Sequence, residues 1–96
     1  MAAYLIVMRE GPVRDQAAYD KYQQMNRENP PSVKLTPLVA YGAMQALEGD
    51  APDGVVMLQF DSTEDARAWY ESPSYQAALP HRLRCADWQA FIVEGM

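Results

Sequence analysis

Two short and almost entirely apolar segments limit what this chain can fold into. Residues Ala2–Met8 form an apolar run that Arg9 ends, and residues Val55–Phe60 form a second run. Their length and their content of β-branched side chains favour strands over helices. A strand that is apolar on both faces belongs inside a sheet whose two faces are both covered. We therefore expect these two segments to be central strands.

The other elements can be placed around these two strands. Asp15 can cap a helix that runs to about Arg27. Residues Leu38–Glu48 are expected to form the second strand, with a bulge or bend at Gly42, and Trp88–Glu94 the last strand. The order strand, helix, strand, strand, helix pair, strand predicts a ferredoxin-like α+β fold, with a four-stranded antiparallel sheet and helices on one face. Right-handed crossovers place the first and third strands in the middle of that sheet.

Two helix starts lie only ten residues apart between the third and last strands. Ser62 can cap the first helix, with Asp65 returning a capping-box contact. Ser72 can cap the second helix, with Pro73 at the first helical position, where a missing N–H costs nothing. Pro80 falls inside this second helix, so we expect a kink or a new helical turn there. No linker or internal repeat is visible, and a single domain accounts for the whole chain.

Composition argues against several classes of function. The formal net charge of −5 argues against nucleic acid and against an anionic membrane surface as partners. Cys85 is the only cysteine and His81 the only histidine, so no internal disulfide can form, and neither a metal site nor another cofactor is expected. Arg9 and Glu10 interrupt the first apolar run after eight residues, so it does not resemble a signal peptide. A cytoplasmic location is the default expectation.

The ferredoxin-like arrangement leaves one face of the sheet without helices. That face would expose every second residue of the first strand, either Tyr4, Ile6 and Met8 or their alternates Ala3, Leu5 and Val7. An apolar patch of this extent is rarely left open on a monomer. At about 25 cal/mol per Å², covering roughly several hundred Å² is worth on the order of 10 kcal/mol before the costs of association. We therefore predict a homodimer in which the open sheet faces pack together.

Several stretches of the sequence resemble one known family. They are the run from Phe60 to Gln76 with its Trp69-Tyr70-x-Ser72-Pro73-x-Tyr75-Gln76 string, the segments Arg82–Asp87 and Phe91–Gly95, the opening Ala2-Ala3-Tyr4 and the Leu47–Asp50 turn. Over nearly its whole length the chain resembles the domain of unknown function 1330 family. The resemblance implies a dimeric α/β-barrel, in which two ferredoxin-like sheets pack face to face. It implies no activity, because the family has no agreed one.

Arg82 is the most informative candidate for a functional residue. If the last helix keeps its phase, Arg82 lies on the apolar face between Ala78 and Cys85. A buried guanidinium needs an anion or several carbonyl groups as partners. Asp87 could supply a structural salt bridge, or Arg82 could hold the carboxylate of a ligand in a two-pronged contact. The sequence leaves both interpretations open.

Further side chains could line a small-molecule pocket between the helices and the sheet, and these are Tyr22, Asn26, Trp69, Tyr70 and Tyr75. Each of the aromatic residues also suits ordinary core packing. A pocket of this composition, with Arg82 as its anion anchor, would suit an organic acid or an aromatic compound. No catalytic residue is identified.

Two other functions stay open at this stage. One is a non-catalytic dimeric module that binds a metabolite or another protein, or serves as a scaffold. The other is a cofactor-free monooxygenase-like enzyme, in which side chains such as Asn26, Trp69, Trp88 and Tyr22 would orient an aromatic substrate.

Overall fold

The sheet of this computed structural model, which describes all 96 residues, has the predicted strand order. Its elements are β1 (Ala3–Glu10), α1 (Gln16–Glu28), β2 (Thr36–Ala40), β3 (Gly54–Phe60), α2 (Thr63–Tyr70), α3 (Pro73–Cys85) and β4 (Asp87–Glu94). The order across the sheet is β2-β3-β1-β4, and all neighbouring strands are antiparallel. The ferredoxin-like α+β fold is confirmed, with β1 and β3 in the centre.

One face of the sheet carries the core. Ala3, Leu5 and Val7 alternate along β1, and all three are buried. Leu5 and Val7 form a core cluster with Phe60 of β3 and Ala66 of α2. Because Ala66 is small and fully buried, α2 can lie directly on the sheet.

The opposite face of the sheet has no helix over it. Its register places Ile6 of β1 beside Met57 of β3 and Phe91 of β4. By the same alternation, the face also carries the apolar residues Tyr4, Met8, Val55 and Val93. Phe91 and Val93 are each 44 % exposed. We call this surface the open face.

The helices α1 and α2 relate to the sheet in different ways. α2 contacts β1, β3 and β4, whereas no Cα of α1 lies within 8 Å of a Cα in any strand. α1 instead packs against α3, where Ala18 and Cys85 belong to one buried cluster. Tyr19 and Tyr22 on the same helix are bulky and only partly buried. α1 is therefore supported by α3 and stands away from the sheet.

The second strand differs from the prediction of Leu38–Glu48. β2 begins two residues earlier and ends at Ala40. Tyr41 ends the strand, because its φ of 59° lies in the left-handed region and not in the extended region that a strand needs. The register irregularity comes just before Val39, so the bulge predicted at Gly42 is not there. The residues up to β3 form an irregular loop.

All three predicted helix caps are present. The Asp15 Oδ1 accepts a hydrogen bond from the backbone N–H of Ala18 at 3.0 Å. The Ser62 Oγ accepts a hydrogen bond from the backbone N–H of Asp65 at 3.1 Å, and the Ser72 Oγ accepts one from the N–H of Tyr75 at 3.4 Å. α3 continues through Pro80, so this proline starts no new helix. Pro80 is exposed, which places the interrupted helical hydrogen bond on the solvent side of α3.

Candidate functional site

A cavity of about 540 Å³ lies between α1 and the β2–β3 half of the sheet. It is present because α1 rests on α3 instead of on the strands. The polar residues of its lining are Tyr22, Gln23, Asn26, Arg27, Asn29, Tyr41, Ser74 and Tyr75. The apolar residues of its lining are Pro31, Leu35, Pro37, Val56, Leu58 and Trp69. The cavity therefore combines aromatic and aliphatic surface with several hydrogen-bonding groups.

Two tyrosine hydroxyls meet at the cavity wall. The hydroxyl oxygens of Tyr22 in α1 and Tyr75 in α3 are 2.9 Å apart, and the two rings meet edge to face. Tyr75 is only 4 % exposed. Its burial and the neighbouring Tyr22 raise the pKa of the Tyr75 phenol above its ordinary value, against a smaller opposing effect of Arg82. At neutral pH the Tyr75 hydroxyl is therefore uncharged.

The corner between α2 and α3 holds two aromatic rings of the wall together. The Ser72 Oγ donates a hydrogen bond to the Trp69 carbonyl at 2.7 Å while it caps α3 at the N–H of Tyr75. The ring centroids of Trp69 and Tyr75 are 4.3 Å apart, and Trp69 also contacts Phe60 with centroids 5.9 Å apart. The predicted cap thus fixes the position of the two rings, in addition to starting a helix.

Tyr41 lines the cavity from the loop that follows β2. Its ring lies against Gly54, where a Cβ atom would come within 3.0 Å of the Tyr41 Cδ1 atom. Burial, followed by a hydrogen bond with Tyr19, raises the pKa of the Tyr41 phenol. The sequence did not indicate Tyr41 as a site residue, because it falls inside the predicted second strand.

Arg82 is 3 % exposed and has no anionic partner. Its Nε and Nη1 atoms have no hydrogen-bond partner, and its guanidinium carbon lies 5.3 Å from the centre of the Trp88 ring. The salt bridge with Asp87, one of the two interpretations that the sequence left open, is not formed. Asp87 lies at the exposed start of β4, and its Oδ1 accepts a hydrogen bond from Arg14 Nη1 at 2.9 Å. Arg82 does not line the cavity, but it is close enough to Tyr75 to lower the pKa of that phenol.

Four of the predicted pocket residues line the same cavity, namely Tyr22, Asn26, Trp69 and Tyr75. Tyr70 does not: it lies in a smaller hollow of about 330 Å³ between α2 and β4. The Tyr70 ring packs beside Tyr75, with centroids 5.5 Å apart, so it supports the wall from outside the cavity. Trp88 stacks on Tyr19 and likewise lies outside the lining.

The sequence did not indicate Gln23 and Arg27 as cavity residues. A helical wheel places them away from the face that carries Ala18 and Tyr22, and that face was expected to lie on the sheet. Because α1 packs on α3, a second side of the helix faces the cavity. Nothing in the helical periodicity alone distinguishes these two arrangements.

No group of three or more His, Cys, Asp or Glu side chains is arranged to hold a metal ion. Cys85 is fully buried, and burial raises the pKa of its thiol. None of the three helices has both the length and the hydropathy needed to cross a bilayer.

The fold and the cavity define a ferredoxin-like α+β protein with a hollow between one helix and the sheet. The family model described as Domain of unknown function (DUF1330) matches residues 2–96. The chain therefore belongs to this family, as the resemblance of its sequence indicated. No protein of curated function matches the chain.

Similar solved structures have the same fold at low sequence identity. A dimeric ferredoxin-like protein of unknown function from Jannaschia sp. is 13 % identical, with a TM-score of 0.66 over 99 % of this chain and 100 % of that one. A dimeric ferredoxin-like protein of unknown function from Thermobifida fusca is 17 % identical, with a TM-score of 0.64 over 97 % and 90 %. A protein from Chloroflexus aurantiacus, provisionally described as an antibiotic biosynthesis monooxygenase, is 19 % identical, with a TM-score of 0.50 over 100 % and 96 %. At these identities the likeness is one of fold.

Proposed function

We propose that this protein is a homodimer that binds a small organic molecule, an organic acid or an aromatic compound, in the cavity of each protomer. The observation that carries the proposal is the cavity itself, since α1 stands off the sheet over a lining of mixed polarity. Its volume of about 540 Å³ is in the ordinary range for small-molecule sites. Trp69 and Leu58 offer apolar surface to a ring, and the Tyr22 hydroxyl and the Asn26 amide offer hydrogen bonds.

The test is a thermal-shift screen of carboxylates and aromatic compounds. A ligand at a hundred times its dissociation constant should add about 2.7 kcal/mol to the free energy of unfolding. Ser74→Trp should abolish the shift, because Ser74 lines the cavity and a large ring there would occupy it. The matched control is Ala77→Trp, which adds the same ring to an exposed position of α3 outside the cavity. If no compound shifts the parent protein, or if both variants respond equally, the cavity is not the binding site.

The homodimer is proposed through the open face. That face is apolar and uncovered, and two of the similar structures are described as dimeric. Met57→Asp should give a monomer or unfold the protein, because Met57 lies on this face and its charge would be buried in the interface. Light scattering should give about twice the chain mass for the parent protein. It should also do so for the control Ala68→Asp, which alters an exposed position of α2. A monomeric parent protein would contradict the proposal.

A catalytic version of the same site is a second candidate. Asn26, Trp69, Trp88 and Tyr22 were the side chains named to orient an aromatic substrate. All of them except Trp88 line the cavity. The proposed chemistry is a cofactor-free monooxygenation, in which a hydroquinone and O₂ give a hydroxyquinone and water. One oxygen atom enters the ring, the other leaves as water, and the substrate itself supplies the electrons. Oxygen uptake with a hydroquinone, lost in Asn26→Ala and kept in an exposed control such as Gln24→Ala, would favour it. Binding without oxygen uptake would leave the protein a binding module. Absence of both would favour a scaffold.

A further inference from the structure

The charge of the cavity lining contrasts with the charge of the chain. The protein carries 13 acidic residues and has a formal net charge of −5. None of those acidic residues lines the cavity, and the only charged residue of its lining is Arg27. An acidic protein thus presents a cavity with positive charge and no carboxylate, which favours an anion over a cation or a neutral molecule.

Arg27 is free to bind such an anion. The three ion pairs of the chain involve other residues, and no side-chain hydrogen bond uses the Arg27 guanidinium. The neighbouring carboxylate of Glu28 accepts a hydrogen bond from Gln24 instead. A guanidinium presents parallel N–H groups that match the two oxygens of a carboxylate.

Arg82 adds a second positive charge near the same cavity. Its Nε and Nη1 atoms are buried without a partner, and it belongs to the same buried side of α3 as Tyr75, which is part of the lining. A buried charge without a counter-ion is unfavourable, and an anion in the adjoining cavity would reduce that cost.

We propose that the ligand is a single-ring aromatic carboxylate whose carboxylate is bound by Arg27 and whose ring packs against Trp69. This inference rests on the proposed small-molecule function of the cavity and narrows it to one chemical class. Arg27 is the ligand's direct charge partner. Arg27 also lies in the last turn of α1, where a cation stabilises the helix, so the test separates that structural role from ligand binding.

The experiment compares a charged ligand with its neutral isostere. Benzoate and 3-phenylpropanoate are titrated calorimetrically into the full-length protein beside benzamide and 3-phenylpropanamide. The parent protein should bind the carboxylates more tightly than the amides. In Arg27→Gln this preference should fall about three- to tenfold, because one charge-assisted contact at an exposed position is lost. Arg27→Lys keeps the charge and should keep part of the preference. Raising the salt concentration should weaken the carboxylates alone.

The control variant is Arg84→Gln, which removes an exposed arginine of α3 that does not line the cavity. It changes the net charge by the same amount and should leave the preference intact. An equal loss in both variants would mean a general charge effect and would overturn the role of Arg27. Equal binding of carboxylates and amides by the parent protein would overturn the ligand class while the cavity still binds. If neither compound type binds and the wider screen also finds nothing, the proposed function itself fails.

Discussion

The two sides of the helix layer pack differently against the same sheet. On one side α2 lies on the strands, because its inward residue is Ala66, and the space below it is filled by Leu5 and Phe60. On the other side α1 carries large partly polar side chains, rests on α3 and leaves a cavity over β2 and β3. The difference indicates that stability is concentrated on the α2 side, and that the α1 side is available for binding.

The largest expected change in the free energy of unfolding comes from a larger side chain in the packed core between α2 and the sheet. Ala66→Leu should lower the free energy of unfolding by about 3 kcal/mol, because the fully buried Ala66 has no room for a larger side chain. Ser74→Leu places a larger, apolar side chain beside the cavity. It should change the free energy of unfolding by less than about 0.5 kcal/mol. Ala68→Leu on the exposed side of α2 is the control for helix propensity. Chemical denaturation measures all three, and equal losses for Ala66→Leu and Ser74→Leu would remove the contrast between the two sides.

The second largest effect is a gain in stability, at the buried Arg82. Arg82→Met should raise the free energy of unfolding of the ligand-free protein by about 1–2 kcal/mol, since it removes a buried charge with unpaired donors and keeps most of the volume. In a domain of this size, each kcal/mol of added stability raises Tm by about 4–8 °C. A clear loss of stability would show that the contact with Trp88 outweighs the unpaired donors. Arg84→Met, at an exposed position, should have little effect.

A smaller effect is expected at the tyrosine pair. Tyr22→Phe removes the hydrogen-bond partner of the buried Tyr75 hydroxyl and should cost about 1 kcal/mol. Tyr70→Phe is the matched control, because the Tyr70 hydroxyl makes no hydrogen bond within the protein and Tyr70 does not line the cavity. If both variants lose the same stability, the hydroxyl pair does not hold α1 to α3.

The sequence predicted the parts of the molecule that local chemistry determines. The continuous apolar run Ala2–Met8, the caps at Ser62 and Ser72 and the order of elements were enough for the fold. Each of these depends on neighbouring residues or on simple rules of chain handedness. The end of β2 could not be predicted, because it depends on the left-handed backbone of Tyr41, and the apolar residues after it suit a strand equally well.

The candidate site was predictable only in part. Tyr22, Trp69 and Tyr75 were indicated because aromatic residues on helices next to a sheet commonly line either a core or a pocket. Arg27 was missed, because its position depends on whether α1 rests on the sheet or on α3. The interpretation that paired Arg82 with Asp87 does not hold, for a similar reason. The carboxylate lies at the exposed start of β4, beside Arg14, and away from the buried face that holds Arg82.

The smallest expected effect is a pH dependence of stability that comes from the buried phenol of Tyr75. Burial raises the pKa of Tyr75 in the folded protein above its value of about 10 in the unfolded chain. Above pH 10 the unfolded chain therefore loses a proton that the folded protein keeps, so stability falls as pH rises. For one such group the loss between pH 8 and pH 10.5 is about 0.8 kcal/mol. Chemical denaturation at both pH values should give a smaller loss in Tyr75→Phe than in the parent protein. In Tyr70→Phe, where the buried Tyr75 is kept, the loss should match the parent. A loss that Tyr75→Phe leaves unchanged would mean that Tyr75 is solvated, and that the α1 side is open to water at this position as well.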